Sequence, residues 1–137
     1  MEVQKTALYE THKNLGARFA PFAGYEMPIQ YSDGVVKEHI STRTYAGFFD
    51  VSHMGQLYIE GGSSVEDALE KIIPADLKNL DMNQSKYSFL LNLEGGIIDD
   101  LIITKQKHGF YIVLNAACKD NDIKHISKNL TENHKFY

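Results

Sequence analysis

Four side chains able to do chemistry fall close together along the chain: Tyr87, the doublet Asp99-Asp100, and Asn115. A phenol and a carboxamide can hold the polar edge of a ligand. A carboxylate can orient an N–H donor or accept its proton. Whether they meet depends on the elements that carry them. Ser85–Asn115 reads as three short strands rich in aromatic and β-branched residues, joined by polar, glycine-bearing loops. The strands are predicted at about Tyr87–Leu91, Ile97–Lys105 and Phe110–Asn115. Four-residue hairpin loops at Asn92–Gly95 and Gln106–Gly109 would then set Leu91 against Gly96 and Lys105 against Phe110. Tyr87 would oppose Asp100, and Asp100 would oppose Asn115. Opposed residues share a face, roughly 5 Å apart. One row would hold phenol, carboxylate and amide, as a site requires.

Successive strand residues point to opposite faces, so Asp99 is excluded from that row. Ile102 follows Asp100, whereas Leu101 and Ile103 lie on the side of Asp99. Apolar residues on both faces predict a sheet covered on both sides. At least one aspartate should then have a raised pKa or a polar partner. The competing reading places both acids at the open end of a strand, in water, and pattern alone weighs the two about evenly. A one-residue slip would exchange the two acids.

The chain has 137 residues, enough for one domain with a core. Hydrophobic residues make up 43% and charged residues 23%, as in ordinary globular proteins. A formal charge of −4 disfavours a nucleic-acid partner. Cys118 is the single cysteine, which excludes an internal disulfide and fits a reducing, cytoplasmic compartment. No metal-ligand spacing, membrane span, leader or repeat stands out.

In chain order, Thr6 is predicted to cap a helix running to about Asn14, with Gly16 as its stop and Leu8, Tyr9 and Leu15 on its apolar face. Phe19–Ile29 carries two prolines and a glycine and reads as irregular chain with short strands, its aromatics forming wall or core. A second helix is predicted from Ser32-Asp33-Gly34 to about Tyr45, with Val36, Ile40 and Thr44 inward. Phe48–Glu60 reads as strand, turn, strand. His53 within it is expected to be structural. Ser63 and Glu66 suggest a capping box for a helix burying Val65, Leu69 and Ile72–Ile73, closed by Pro74. A last helix should start near Ala117–Asp120 with Ile123, Ile126 and Leu130 on one face. Thr131–Tyr137 reads as a frayed end. The class expected is α+β, an antiparallel sheet with flanking helices.

Six strings carry a family likeness: Thr6–His12 (TALYETH), Phe22–Pro28 (FAGYEMP), Phe49–Gly55 (FDVSHMG), Lys86–Phe89 (KYSF), Gly95–Leu101 (GGIIDDL) and Val113–Ala117 (VLNAA). Together and in this order they make the chain resemble the N-terminal part of the T-protein family of the glycine cleavage system, tetrahydrofolate-dependent aminomethyltransferases. Family members are longer, three-domain proteins. Residues 1–137 would therefore be a truncated N-terminal folate-binding region, weak in folate binding or inactive alone.

The resemblance implies transfer of a one-carbon unit from the aminomethyl-lipoyl arm of H-protein to tetrahydrofolate, with release of ammonia. It makes Asp100 the essential acid. Tyr87 and Asn115 would be the pterin-site tyrosine and asparagine, with Met54 and Ile102 lining the same pocket. Thr104, where some relatives carry an aromatic, departs from the pattern. Two alternatives stay open: a folate-dependent demethylase of the same fold, and a non-catalytic folate-binding or assembly module. Apolar surface left by absent domains is expected to promote self-association.

Overall fold

In the computed structural model, residues 3–130 and 134–137 are described. The protein is α+β and divides into two compact units, Met1–His53 and Met54–Tyr137.

The first unit holds β1 (Gln4–Lys5), α1 (Tyr9–Asn14), β2 (Arg18–Phe22), β3 (Tyr25–Gln30) and α2 (Gly34–Thr44). Its three strands run in the order β1-β3-β2, with β1 parallel and β2 antiparallel to β3. The stretch expected to be mostly irregular is thus a hairpin. Ala23 and Gly24, both at positive φ, close it, as a tight hairpin turn requires. Its prolines fit because β2 is an edge strand and Pro28 lies beyond the pairing of β3 with β1.

Helix α1 starts later than predicted. Its N-cap is Leu8, without a side-chain cap. Thr6 is instead buried ahead of the helix. The stop is as expected. Gly16 has φ +75, and the amides of Gly16 and Ala17 donate to the carbonyls of Lys13 and His12, a glycine-dependent C-terminal motif. The buried residue of α1 is His12, while Leu8 and Leu15 are exposed. Helix α2 buries none of its residues, so Val36, Ile40 and Thr44 do not face inward. Phe48–Asp50 and the residues up to His53 are not strand. Phe22 is exposed, against the expectation of wall or core, and meets His53 edge-on. Tyr25 also meets the ring of His53 edge-on.

The second unit holds β4 (Gly55–Glu60), α3 (Ser63–Leu69), β5 (Ser85–Leu91), β6 (Ile97–Gln106), β7 (Gly109–Leu114), α4 (Lys119–Lys128) and β8 (Lys135–Phe136). Its sheet is antiparallel, in the order β5-β6-β7-β4-β8. Strand alternation sends Leu57, Ile59, Leu90, Leu101, Ile103, Phe110, Ile112 and Leu114 to one face. They form a core with Val65 and Leu69 of α3, Ile126 of α4, and the Ile72–Leu77 segment. At about 25 cal/mol per Å² of apolar area removed from water, this face is the main source of stability.

Gly109 is obligatory here, because a Cβ on it would collide with the carbonyl oxygen of Ile59 on β4. Lys105 reaches from β6 to Glu66, 2.9 Å away, and donates to the carbonyls of Leu77 and Lys78. It ties the sheet to α3 and the segment after it.

Several helix details differ from expectation. The N-cap of α3 is Gly62, and no capping box forms. Ser63 is already inside the helix, and the Ser64 hydroxyl bonds to the Gly61 carbonyl. The helix ends at Leu69, before Pro74. Helix α4 begins where expected and buries Ile126, with Ile123 and Leu130 against the core. The chain end is not frayed as expected. Lys135–Phe136 pair with β4, and His134 is buried. Thr131 to residue 133 lie outside the described residues. No described helix is long and apolar enough to cross a membrane.

Candidate functional site

The β6–β7 pairing follows the predicted register. Lys105 opposes Phe110 and Leu101 opposes Leu114. The loop is shorter than expected, because Gln106 and Gly109 also pair and leave Lys107-His108 as the turn. Closing the ladder by one more pair leaves the register unchanged. Asp100 and Asn115 are the next opposed positions beyond Leu101 and Leu114, and Asn115 lies one residue past β7.

The β5–β6 pairing is offset by two residues from the prediction. Phe89, not Tyr87, opposes Asp100, and Tyr87 opposes Ile102. The causes are a loop one residue longer than expected, which sets Leu91 against Ile97 instead of Gly96, and a bulge. Leu90 pairs with Asp99, but Leu91 pairs with Ile97, which leaves Ile98 extra. A shift of two preserves the face. Tyr87 is therefore diagonal to Asp100, on the same side. Partial desolvation first, then the neighbouring Asp100 carboxylate, raise the phenol above its ordinary pKa.

Asn115 closes the row. Its Nδ2 donates to Asp100 Oδ1 at 2.9 Å and to Asp99 Oδ1 at 3.0 Å, with the Asp100 carbonyl at 3.3 Å. Two carboxylates facing the amide fix which way its NH₂ points. Asp99, expected to be excluded, thus joins the row through one oxygen. Its Oδ1 also accepts from the Asp100 amide at 2.9 Å. Alternation still sends its other oxygen to the buried side.

The sheet is not covered on both sides, as expected from its apolar faces. On the Asp100 side Tyr87 is 61% and Ile102 43% exposed, and Phe89 and Ile98 are exposed too. Asp100 and Asn115 are half-buried. The result is an open shelf of one phenol, one phenyl ring and two isoleucines, with a carboxylate and an amide at one end. Such a surface suits a flat heteroaromatic ligand that stacks on apolar groups and presents N–H donors to a carboxylate. Met54 lies one step before β4. With Asn115 it forms the next opposed pair beyond Gly55 and Leu114. Thr104 bonds through its hydroxyl to Ser85 at 2.8 Å.

Sequence reasoning overlooked two residues below the shelf. Asp122 of α4 is 1% exposed and neighbours Asp99. Burial first, then the adjoining Asp99 carboxyl and the charges of Asp99 and Asp100, push its pKa up to about 7. Asp99 beside Cys118, together with burial, raises its thiol. For Asp99 itself, burial works upward but is outweighed. Bonds from Asn115 and the Asp100 amide, with Asp122 and Cys118 close by, hold it below the ordinary carboxylate value. The raised acid is thus on α4, outside the doublet. The available signal was one of two acids, Asp120 and Asp122, in the first turn of a helix, which read equally well as favourable helix-dipole charges.

The first unit has its own buried polar network. His12 Nε2 lies 2.9 Å from Asp50 Oδ2, and its Nδ1 lies 2.7 Å from the Tyr31 hydroxyl. Ser52 donates to Asp50 from both its amide and its hydroxyl. Burial works upward on Asp50, but bonds from Ser52 and His12 hold it well below its ordinary pKa. This unit also contains a cavity of about 530 Å³ whose lining includes Tyr31, Glu38, His39, Phe48 and Phe49. No member of the Tyr87–Asp100–Asn115 row lines it.

Residues 8–136 match the GCVT N-terminal domain. The chain is 51% identical over 131 residues to "Aminomethyltransferase, mitochondrial" of Dictyostelium discoideum, covering 96% of this chain and 32% of that relative. It is 45% identical over 139 residues to an aminomethyltransferase of Synechococcus sp. (strain WH7803), covering 96% and 37%. Its fold matches the crystal structure of glycine cleavage system aminomethyltransferase T from Bartonella henselae, with TM-score 0.91 and 40% identity, over 98% of this chain and 37% of that one. The chain spans about a third of the length of these relatives.

Proposed function

We propose, from the premise that this chain belongs to the GCVT N-terminal domain family of aminomethyltransferases, that residues 1–137 form the N-terminal folate-binding region of a longer enzyme. Its reaction would move a one-carbon unit from the aminomethyl-lipoyl arm of H-protein to tetrahydrofolate. In that reaction the carbon–sulfur bond and the bond to the departing amine break. Two carbon–nitrogen bonds to the folate form. Two folate N–H protons end on sulfur and on the ammonia released.

The observation that carries this reading is the Asp100 row, with Asn115 at 2.9 Å, Tyr87 diagonal to the same carboxylate on the same face, and Ile102 beside them on the open face. Asp100 would take the role of orienting the folate N–H groups and accepting a proton. Asn115 would fix the carboxylate, Tyr87 would contact the pterin edge, and Ile102 and Met54 would line its apolar side. Positioned acid–base help of this kind contributes about 10²–10⁴-fold.

The test is Asp100→Asn in a full-length protein that carries this segment. Tetrahydrofolate-dependent ammonia release from aminomethyl-loaded H-protein should fall by about that factor, with the circular dichroism spectrum unchanged. Undiminished release would refute the assignment.

A binding module without turnover is the second reading, favoured by the openness of the shelf within this chain. Reduced folate is then expected to bind weakly here. A reducing compartment such as the cytoplasm suits the free thiol of Cys118. Exposed Val36, Ile40, Phe48 and Phe49 make self-association of the isolated chain an expected property.

A further inference from the structure

Three carboxyl oxygens are buried beneath the shelf without an N–H or O–H donor: Asp99 Oδ2, Asp122 Oδ1 and Asp122 Oδ2. Two ionised carboxylates facing each other there would be strongly unfavourable, because buried charge needs a partner. The groups acting on Asp122 are Asp99 and Asp100 of β6, and Cys118 lies at the start of its own helix. One proton resolves the arrangement. Carried by Asp122, it donates to Asp99 and leaves Asp99 as the anion.

That anion has work on the other side of the strand. Asp99 Oδ1 accepts from Asn115 Nδ2 and from the Asp100 amide. The same Nδ2 donates to the Asp100 carboxylate. A chain of bonds therefore runs from Asp122 through Asp99 and Asn115 to Asp100. We infer that Asp122 is a positioning residue, a buried carboxylic acid whose proton holds Asp99 in place so that Asn115 presents the Asp100 carboxylate to the ligand. The part concerning a ligand rests on the folate reading above. The proton and the bond chain do not.

Two measurements on the full chain separate these layers. In the absence of folate, the ¹³C carboxyl signal of Asp122 should titrate near neutrality. The side-chain amide signals of Asn115 should move with it. Asp122→Ala should displace the same Asn115 signals, because Asp99 loses its donor. Asp122→Asn should restore them at every pH, since its amide supplies a permanent donor. Titration of Asp122 in the ordinary carboxylate range would overturn the inference. So would Asn115 signals that ignore Asp122→Ala.

With tetrahydrofolate added, affinity should fall on the order of tenfold in Asp122→Ala and be recovered in Asp122→Asn. The wild type should also lose affinity as pH rises through neutrality, and Asp122→Asn should not. Correct Asn115 behaviour with no folate binding at any pH would sink the folate reading and leave the proton assignment standing. Folate binding indifferent to both variants would overturn the positioning role.

Discussion

The two acids of the doublet differ because one strand sends them different ways. Asp100 faces the open shelf, while Asp99 keeps one oxygen on the buried side. Replacing either by asparagine therefore has distinct consequences. Asp100→Asn removes a negative charge from where a ligand N–H would sit and should cost transfer while sparing the fold. Asp99→Asn keeps an acceptor for Asn115 and gives Asp122 an amide donor, so transfer should fall less. It should instead bring the Asp122 carboxyl signal back toward the ordinary carboxylate range. Equal transfer losses in the two variants would contradict the facing argument. Alternation in the strand was legible in the sequence, and so was the Asp100–Asn115 register. The Asp99–Asp122 contact was not, because the spacing of Ile123, Ile126 and Leu130 gives the core face of α4 but not which residue of β6 its Asp122 meets.

At the scale of elements, the β6–β7 hairpin came out in register because Lys105 opposite Phe110 is compatible with a two- or a four-residue turn. The β5–β6 hairpin did not, because its loop is one residue longer than predicted and a bulge near Ile98 adds another, which loop counting cannot see. The shared face survived the error, since an offset of two keeps Tyr87 on the Asp100 side. Helix faces were less legible. Val36 and Ile40 read as inward by spacing, yet α2 buries nothing. Spacing gives a face but not whether anything covers it. Gly109 makes an element-level prediction. Gly109→Ala must push β7 away from the Ile59 carbonyl and so disturb the β4–β7 ladder that ends beside Asn115. A loss of about 1–3 kcal/mol is expected by chemical denaturation, as for overpacked cores. A change below about 0.5 kcal/mol, the range of ordinary surface substitutions, would contradict the close approach.

For the whole molecule, pH ties these groups to stability. Asp122 has a folded pKa raised to about 7, so the native state holds a proton that the unfolded chain releases at about 4. Its contribution is complete below that lower value and is lost as pH rises from about 4 to about 7. Asp50 and Asp99 are depressed. Their contribution is present above the ordinary carboxylate value and is lost as pH falls through their folded values. Thermal unfolding followed against pH should show the wild type losing stability between about pH 4 and 7. Asp122→Asn should be flatter in that window, and parallel slopes would exclude a buried proton on Asp122.

Titration of the wild-type chain with tetrahydrofolate, read by the side-chain signals of Asn115 and Tyr87 and repeated with Asp100→Asn, is the most direct test of the shelf as a folate site. Saturable movement of both signals is expected, with affinity lowered about tenfold in the variant, as for loss of a charged hydrogen bond. Signals that stay still while folate saturates the chain, or equal affinity in the variant, would contradict it.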